Sequence, residues 1–208
     1  MNYEILLGFI LATAALSISP GPDNIYVLTQ SIANGKKYGL ATVAGLMTGC
    51  LIHTSLLAFG VSTIIKNNNT VFLIIKLFGV GYLLYLSYMV YRAGNKIHID
   101  NQSVSKTGLW NLFRKGFIMN VLNPKVTIFF LAFFPGFLFS DAMSTVLQFY
   151  VLGFLFIGVS FLIFGTIAIL AGSISNYILK TPKAGLFLKW LQIVVFISIA
   201  IYLLLSDK

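Results

Sequence analysis

Acid is what this chain has least of. Of its 208 residues only 9% are charged, with Asp and Glu numbering 5 against 14 Lys and Arg. A soluble domain typically carries about 25% charged residues, so the sequence is that of an integral membrane protein. Cys50 is the only cysteine, which excludes an intrachain disulfide, a Cys-x-x-Cys redox pair and a thiolate metal cluster; it is expected to pack as a small residue. No cluster of His and carboxylates occurs, so no metal and no other cofactor is expected. The lack of a nucleophile, base and orienting group argues against a membrane enzyme or a thiol-reductant conduit. Before the first apolar run stands Glu4 rather than a basic cluster, so a cleavable signal peptide is not expected and the run is read as a spanning helix.

Apolar length is what the chain has in excess: 58% of residues are hydrophobic. Hydrocarbon about 30 Å thick needs about 20 apolar residues per helix, and six stretches qualify, over 3–34, 38–65, 70–93, 110–140, 143–172 and 184–205. Runs such as 146–163 are apolar on all sides, which excludes the alternating strands of a spanning barrel. The expected fold is an all-α membrane protein, one transmembrane domain over 1–208. The formal charge of +9 is read as contact with anionic lipid headgroups and the cytosol, not with nucleic acid.

Basic residues beside the stretches set the orientation. Lys36, Lys37, Arg92, Lys96, Lys106, Arg114, Lys115, Lys180, Lys183 and Lys189 fall on one side, Lys66 and Lys208 on the other. The positive-inside rule then puts both termini outside the cytosol and the 95–109 loop inside it. Three spans precede that loop and three follow it, so the halves, about 1–94 and 110–208, enter the membrane from opposite sides as an inverted repeat.

Two of the stretches are interrupted. The first contains Ser19-Pro20-Gly21-Pro22-Asp23-Asn24 and the fourth contains Asn123-Pro124-Lys125. Proline lacks an N–H and clashes with the preceding turn, so Pro20, Gly21 and Pro22 stop one helix and allow another to start. Asn123 can cap a new helix whose first position is Pro124. Both breaks fall near mid-depth, and the new half-helices run in opposite directions, so their positive N-terminal ends are expected to face one cavity. Charge at the bilayer centre costs about 2.5–3.5 kcal/mol on insertion scales and is kept where it meets a partner, water or ligand. Asp23, Asn24, Asn123 and Lys125 are therefore the candidate binding residues. A substrate carboxylate is expected at Lys125 and the helix ends and its amine at Asp23, displacing an Asp23–Lys125 ion pair that holds the empty state. Asp23, the only acid deep in the spans, is the first candidate for proton coupling. The plainer alternative is a structural bridge between two kinked helices.

His53 lies one turn beyond Gly49 on the same side, as a second titratable candidate or a packing residue. Gly45 and Gly49 form G-x-x-x-G, with Gly39 and Gly60 nearby; Gly79, Gly81, Gly153, Gly158 and Gly165 are likewise expected to serve helix packing. Tyr82, Tyr85, Tyr88 and Tyr91 recur every three residues, as a core or subunit contact; monomer and homodimer both stay open. Trp110 and Trp190 begin their stretches beside basic residues, as interfacial anchors.

These residues resemble the lysine exporter (LysE) superfamily, in particular its homoserine/threonine efflux (RhtB) branch, over nearly the whole chain. The likeness is carried by the Ser19–Asn24 break, by Gly39, Gly45 and Gly49, and by Lys76-Leu77-Phe78-Gly79-Val80-Gly81-Tyr82-Leu83. Phe113-Arg114-Lys115-Gly116-Phe117, Asn120-Val121-Leu122-Asn123-Pro124-Lys125, Phe129-Phe130 and Pro135 complete it. Gln192 departs from it, standing where a glycine is usual. The resemblance implies a bacterial cytoplasmic-membrane exporter of amino acids or close derivatives, driven by the proton gradient. The rival on the same scaffold is an ion exporter or channel, such as the cadmium-resistance relatives, against which the lack of acidic or thiolate clusters counts.

Overall fold

In the computed structural model, which describes residues 2–19, 21–61, 69–93, 107–181 and 184–205, every regular element among the described residues is a helix. Pro20, the turn holding Lys66, most of the 95–109 loop with Lys96 and Lys106, Pro182, Lys183 and Lys208 lie outside the described residues. The helices are α1 (Tyr3–Ile18), α2 (Pro22–Asn34), α3 (Lys36–Leu56), α4 (Asn69–Arg92), α5 (Leu109–Val121), α6 (Pro124–Phe133), α7 (Thr145–Ile169), α8 (Ala171–Lys180) and α9 (Ala184–Leu205). A π-helical turn, Leu57–Val61, continues α3, and a 3-10 turn, Phe134–Phe137, ends α6 at Pro135.

Four helices are long and apolar enough to cross a bilayer alone: Lys36–Gly60, Leu73–Arg92, Thr145–Ile169 and Gly185–Leu205. The other two crossings are bent pairs, α1 with α2 at 59° and α5 with α6 at 51°, giving up to six spans. The discontinuous first and fourth helices are thus as expected. One boundary differs: the fifth span ends at Ile169, and α8, read from sequence as span end and linker, is a helix of its own that packs against α2. Its Ser173, Ser175 and Asn176 alternate with Ile174, Tyr177 and Ile178 at helical spacing, a pattern for a half-polar surface rather than for lipid.

Local chemistry explains the ends. Asn2 caps α1, its side chain accepting from Glu4 N at 3.0 Å and Ile5 N at 3.4 Å, and its own N–H donates to Phe139 O at 2.9 Å. Between α2 and α3 the chain turns at a single residue, Gly35, whose φ of 98° favours glycine. The connection before α7 is held by the buried Gln148. Its Oε1 accepts from Phe139 N at 2.7 Å and Ser140 N at 3.0 Å, and its Nε2 donates to Ser140 O at 2.7 Å and Met143 O at 2.9 Å. One amide side chain thereby satisfies four backbone groups that lipid would leave unpaired.

Between helices in lipid there is little hydrophobic drive, since acyl chains are as apolar as leucine; close packing takes its place. The tightest crossing is α3 on α5. A Cβ on Gly45 would overlap the Phe113 carbonyl, and one on Gly116 would overlap the Thr42 carbonyl, so each glycine receives the other helix's backbone. Gly79 is closed in the same way by Ala132, and Gly153 by Thr54, whereas Gly60, Gly81 and Gly158 have no such neighbour. Around α6 the filling is aromatic: Phe129 stacks on Phe133 at 4.4 Å, Phe130 on Phe134 at 4.1 Å, and Phe9 meets Phe134 edge-on at 5.0 Å. The tyrosine stripe does not join this core. Tyr85, Tyr88 and Tyr91 are exposed on α4, with Tyr91 edge-on to Trp190 at 6.4 Å. Beside them the Lys189 ammonium donates to Ala93 O at 2.7 Å, a cation at the negative end of α4.

Gly45→Ala should therefore lower stability by about 1–3 kcal/mol through overpacking of the backbone contact, while Gly158→Ala, whose methyl meets nothing within 4 Å, should be near neutral. Thermal unfolding of the two purified variants in detergent, compared with the parent, measures the difference.

Candidate functional site

The breaks meet. Gly21, Pro22, Asp23 and Asn24 from the start of α2, and Asn123 and Lys125 from the start of α6, line one cavity of about 50 Å³. Its remaining walls come from Leu16 and Ser17 at the end of α1, from Leu46, Met47 and Cys50 on α3, from Asn120 on α5, and from Phe156, Ser160 and Phe164 on α7. The N-termini of two half-helices therefore open onto the same small space.

The two ends are not equivalent. Asn123 caps α6, its Oδ1 accepting from Lys125 N at 3.0 Å. The cap position of α2 is Gly21, in extended backbone at φ −150°, which offers no side chain. Pro22 has no N–H to satisfy, and Ile25 N already bonds Gly21 O at 3.0 Å, so the Asp23 and Asn24 amides, without a partner among the described residues, form the open positive end.

Asp23 stands in the first turn of α2, where the dipole favours an anion. Its Oδ2 accepts from Asn123 Nδ2 at 2.9 Å. The expected Asp23–Lys125 ion pair is thus replaced by a hydrogen bond through Asn123, and Lys125 acts on Asp23 through space. The substitution has a geometric cause: Asn123 precedes the helix and points at α2, whereas Lys125 leaves from its first turn. The Lys125 ammonium lies 3.5 Å from where a Gly21 Cβ would sit and 5.1 Å from the Phe196 ring centre. A cation is thereby held against the positive ends of two helices, a position that is favourable only with an anion beside it.

Asn24 turns backwards and donates from Nδ2 to Ser17 O at 2.8 Å, closing a carbonyl left free where α1 stops. Ser17 Oγ and Ser160 Oγ lie 2.9 Å apart, tying α1 to α7. Pro124 takes the first position of α6 and does not line the cavity. His53 does not reach the cavity either. Its ring stands behind Asn120, with Nε2 donating to Asn120 O at 3.1 Å and Phe130 at 5.4 Å. Ser17, Asn120, Cys50 and Ser160 were not read as site residues. Asn120 carried a signal, being one helical turn before Asn123; Ser160 showed only as a hydroxyl in an apolar run.

A polytopic helical protein with two interrupted spans converging on a charged internal cavity belongs to the class of membrane transport proteins. The LysE type translocator family matches residues 14–207, and the chain belongs to that family. It is 32% identical over 183 residues to the homoserine/homoserine lactone efflux protein of Salmonella typhimurium (strain LT2), covering 88% of this chain and 87% of that one. The homoserine/homoserine lactone efflux protein of Salmonella typhi matches with the same identity and coverage. No solved structure matches the chain.

Asn123→Ala should cost about 1–2 kcal/mol for the lost cap alone and more for the donor taken from Asp23. Asn123→Asp keeps a capping oxygen but sets two carboxylates together. One of them must then take up a proton on folding, so relative to the parent this variant should gain stability as pH falls from 8 to 5. Melting of both variants in detergent at the two pH values checks the sign. Parent-like melting of Asn123→Ala would show that the bond between the breaks contributes nothing.

Proposed function

We propose that this protein exports small amino acids of the homoserine class, or their close derivatives, across the bacterial cytoplasmic membrane in exchange for protons. The observation that carries the proposal is the placement of Lys125 over the uncapped N-terminus of α2, with Asp23 in the same cavity. A zwitterion suits that pair of charges. Its carboxylate would sit between the ammonium and the free Asp23 and Asn24 amides, the arrangement in which helix N-termini take anions. Its amine would replace Asn123 as the partner of Asp23. The efflux relatives, of which the chain covers most, supply the substrate class and the direction.

Proton exchange follows from the same carboxylate. When Asp23 is ionised it can hold the amine; once protonated from outside, it releases it. A single buried acid serving both ligands in turn is sufficient for antiport, because the two cannot be held together. A cation exporter is disfavoured by the site itself, since a metal ion entering would face the Lys125 ammonium and two positive helix ends.

The cavity, at about 50 Å³, has room for a few water molecules, so taking up an amino acid requires the breaks to part. We propose that they do so by rocking of two inverted three-helix halves, with both termini outside the cytosol. A two-fold exchanging the halves would carry the α1–α7 contact into α5–α3, and both contacts occur, whereas the α2–α3 and α4–α6 contacts have no comparable image in α6–α7 and α9–α2. The proposal therefore rests on the two matched breaks rather than on symmetric packing.

In proteoliposomes under an imposed pH gradient, the parent should accumulate homoserine. Asp23→Asn should abolish proton-driven accumulation, and Lys125→Ala should raise the KM for homoserine at least about tenfold, the loss expected for a buried charge-assisted contact. Full accumulation by both variants would remove the cavity from the mechanism.

A further inference from the structure

Asn120 is a buried amide that the transport cycle above does not use. Its side chain lines the cavity although the residue is only 3% exposed, and three residues of α3 are fitted to it. Gly49 leaves the space it occupies, since a Cβ there would fall 2.7 Å from Asn120 Oδ1 and 2.8 Å from its Cβ. Cys50 Sγ donates to Oδ1 at 3.6 Å, and His53 fixes the backbone carbonyl at 3.1 Å.

The thiol decides which way the amide points. The Cys50 S–H donates to Oδ1, which leaves Nδ2 on the other side of the amide. With Oδ1 turned to Cys50, the Nδ2 group has no partner among the described residues and faces the cavity. An oxygen entering the cavity is the partner that donor lacks.

We propose that Asn120 is a specificity-determining residue whose Nδ2 donates to an oxygen on the substrate's side chain. This rests on the zwitterion pose proposed above. There the carboxylate and amine are taken by the α2 end, Lys125 and Asp23, and the side chain is left facing the wall built by Asn120, Cys50 and Met47. That wall offers one hydrogen-bond donor in otherwise apolar surroundings. A hydroxyl or a ring carbonyl satisfies it; an alkyl side chain of the same length leaves the donor unpaired.

The test is the ratio of kcat/KM for homoserine over α-aminobutyrate, which is homoserine without its hydroxyl, measured in proteoliposomes. Because both substrates use the same protein, the ratio does not depend on how much of a variant folds. The parent should favour homoserine by at least about tenfold, as sites built to bond a hydroxyl do. Asn120→Ala and the similar-sized Asn120→Leu, neither of which offers a donor or an acceptor, should bring the ratio to within about twofold of unity. Cys50→Ala, which frees the amide to turn, should lower it severalfold, and it decides the matter if neither Asn120 variant reaches the membrane. A ratio unchanged by these substitutions, or equal transport of both substrates by the parent, overturns the proposal while leaving amino-acid export standing. A parent that moves neither substrate overturns both.

Discussion

Interrupting a helix inside lipid frees backbone donors and acceptors that nothing in the hydrocarbon can satisfy. The whole arrangement of this protein follows from how it meets that constraint twice. Where α1 stops, Asn24 from the next helix returns to bond Ser17 O. Where α6 starts, Asn123 caps it and reaches across to Asp23 with its other end. The second break therefore closes its own helix and the gap to the first with a single side chain. Since Asn123 and Asp23 lie on different halves of the chain, satisfying the backbone also fixes the halves relative to each other.

What stays unsatisfied is as informative. Of the two helix starts at the cavity, one is capped by Asn123 and the other has glycine at the cap position. Had Gly21 been Asn or Ser, its side chain would occupy the amides at the head of α2, as Asn123 does at α6. Leaving them open while holding Lys125 above them concentrates positive potential in a cavity walled by Leu16, Leu46, Met47, Phe156 and Phe164. In such surroundings each charge acts more strongly than in water. Asp23 alone offsets this, and Asn123 partly occupies it. The site is thus short of anionic charge, which suits a ligand that brings a carboxylate with it.

The breaks were legible in the sequence because proline and glycine act locally. Pro22 and Pro124 stand at the first helical positions whatever surrounds them. Gly45 was legible for a related reason, since small residues at four-residue spacing in an apolar run have few uses besides close approach. Asn123 standing between Asp23 and Lys125 was not legible. It depends on a contact between residues 100 positions apart, where a shift of one side chain decides whether an ammonium or an amide arrives first. Asn120 was hidden for the same reason, its role being set by Gly49, Cys50 and His53 on a helix about 70 residues away. His53 was placed on the correct face but at the wrong depth, because helical periodicity gives direction and says nothing of what stands in front. The short helix α8 was missed since its half-polar pattern resembles a linker until α2 is seen beside it.

A carrier must hold two arrangements of nearly equal stability, so the contacts that change between them have to be few and replaceable. The polar ties at the cavity meet that requirement. Asp23 with Asn123, and Ser17 with Ser160, are single bonds between helices of different halves, each worth about 0.5–3 kcal/mol in net terms. An entering amino acid can replace the first, its amine taking the carboxylate. The α3–α5 crossing is of another kind. There backbone is set against backbone through Gly45 and Gly116, and interdigitated helices cannot slide without losing the whole contact at once. The surfaces held by single hydrogen bonds are then the ones that can part. In the proposed rocking this crossing, which joins the two halves, would serve as the pivot, and Asn120, seated on Gly49, lies on it.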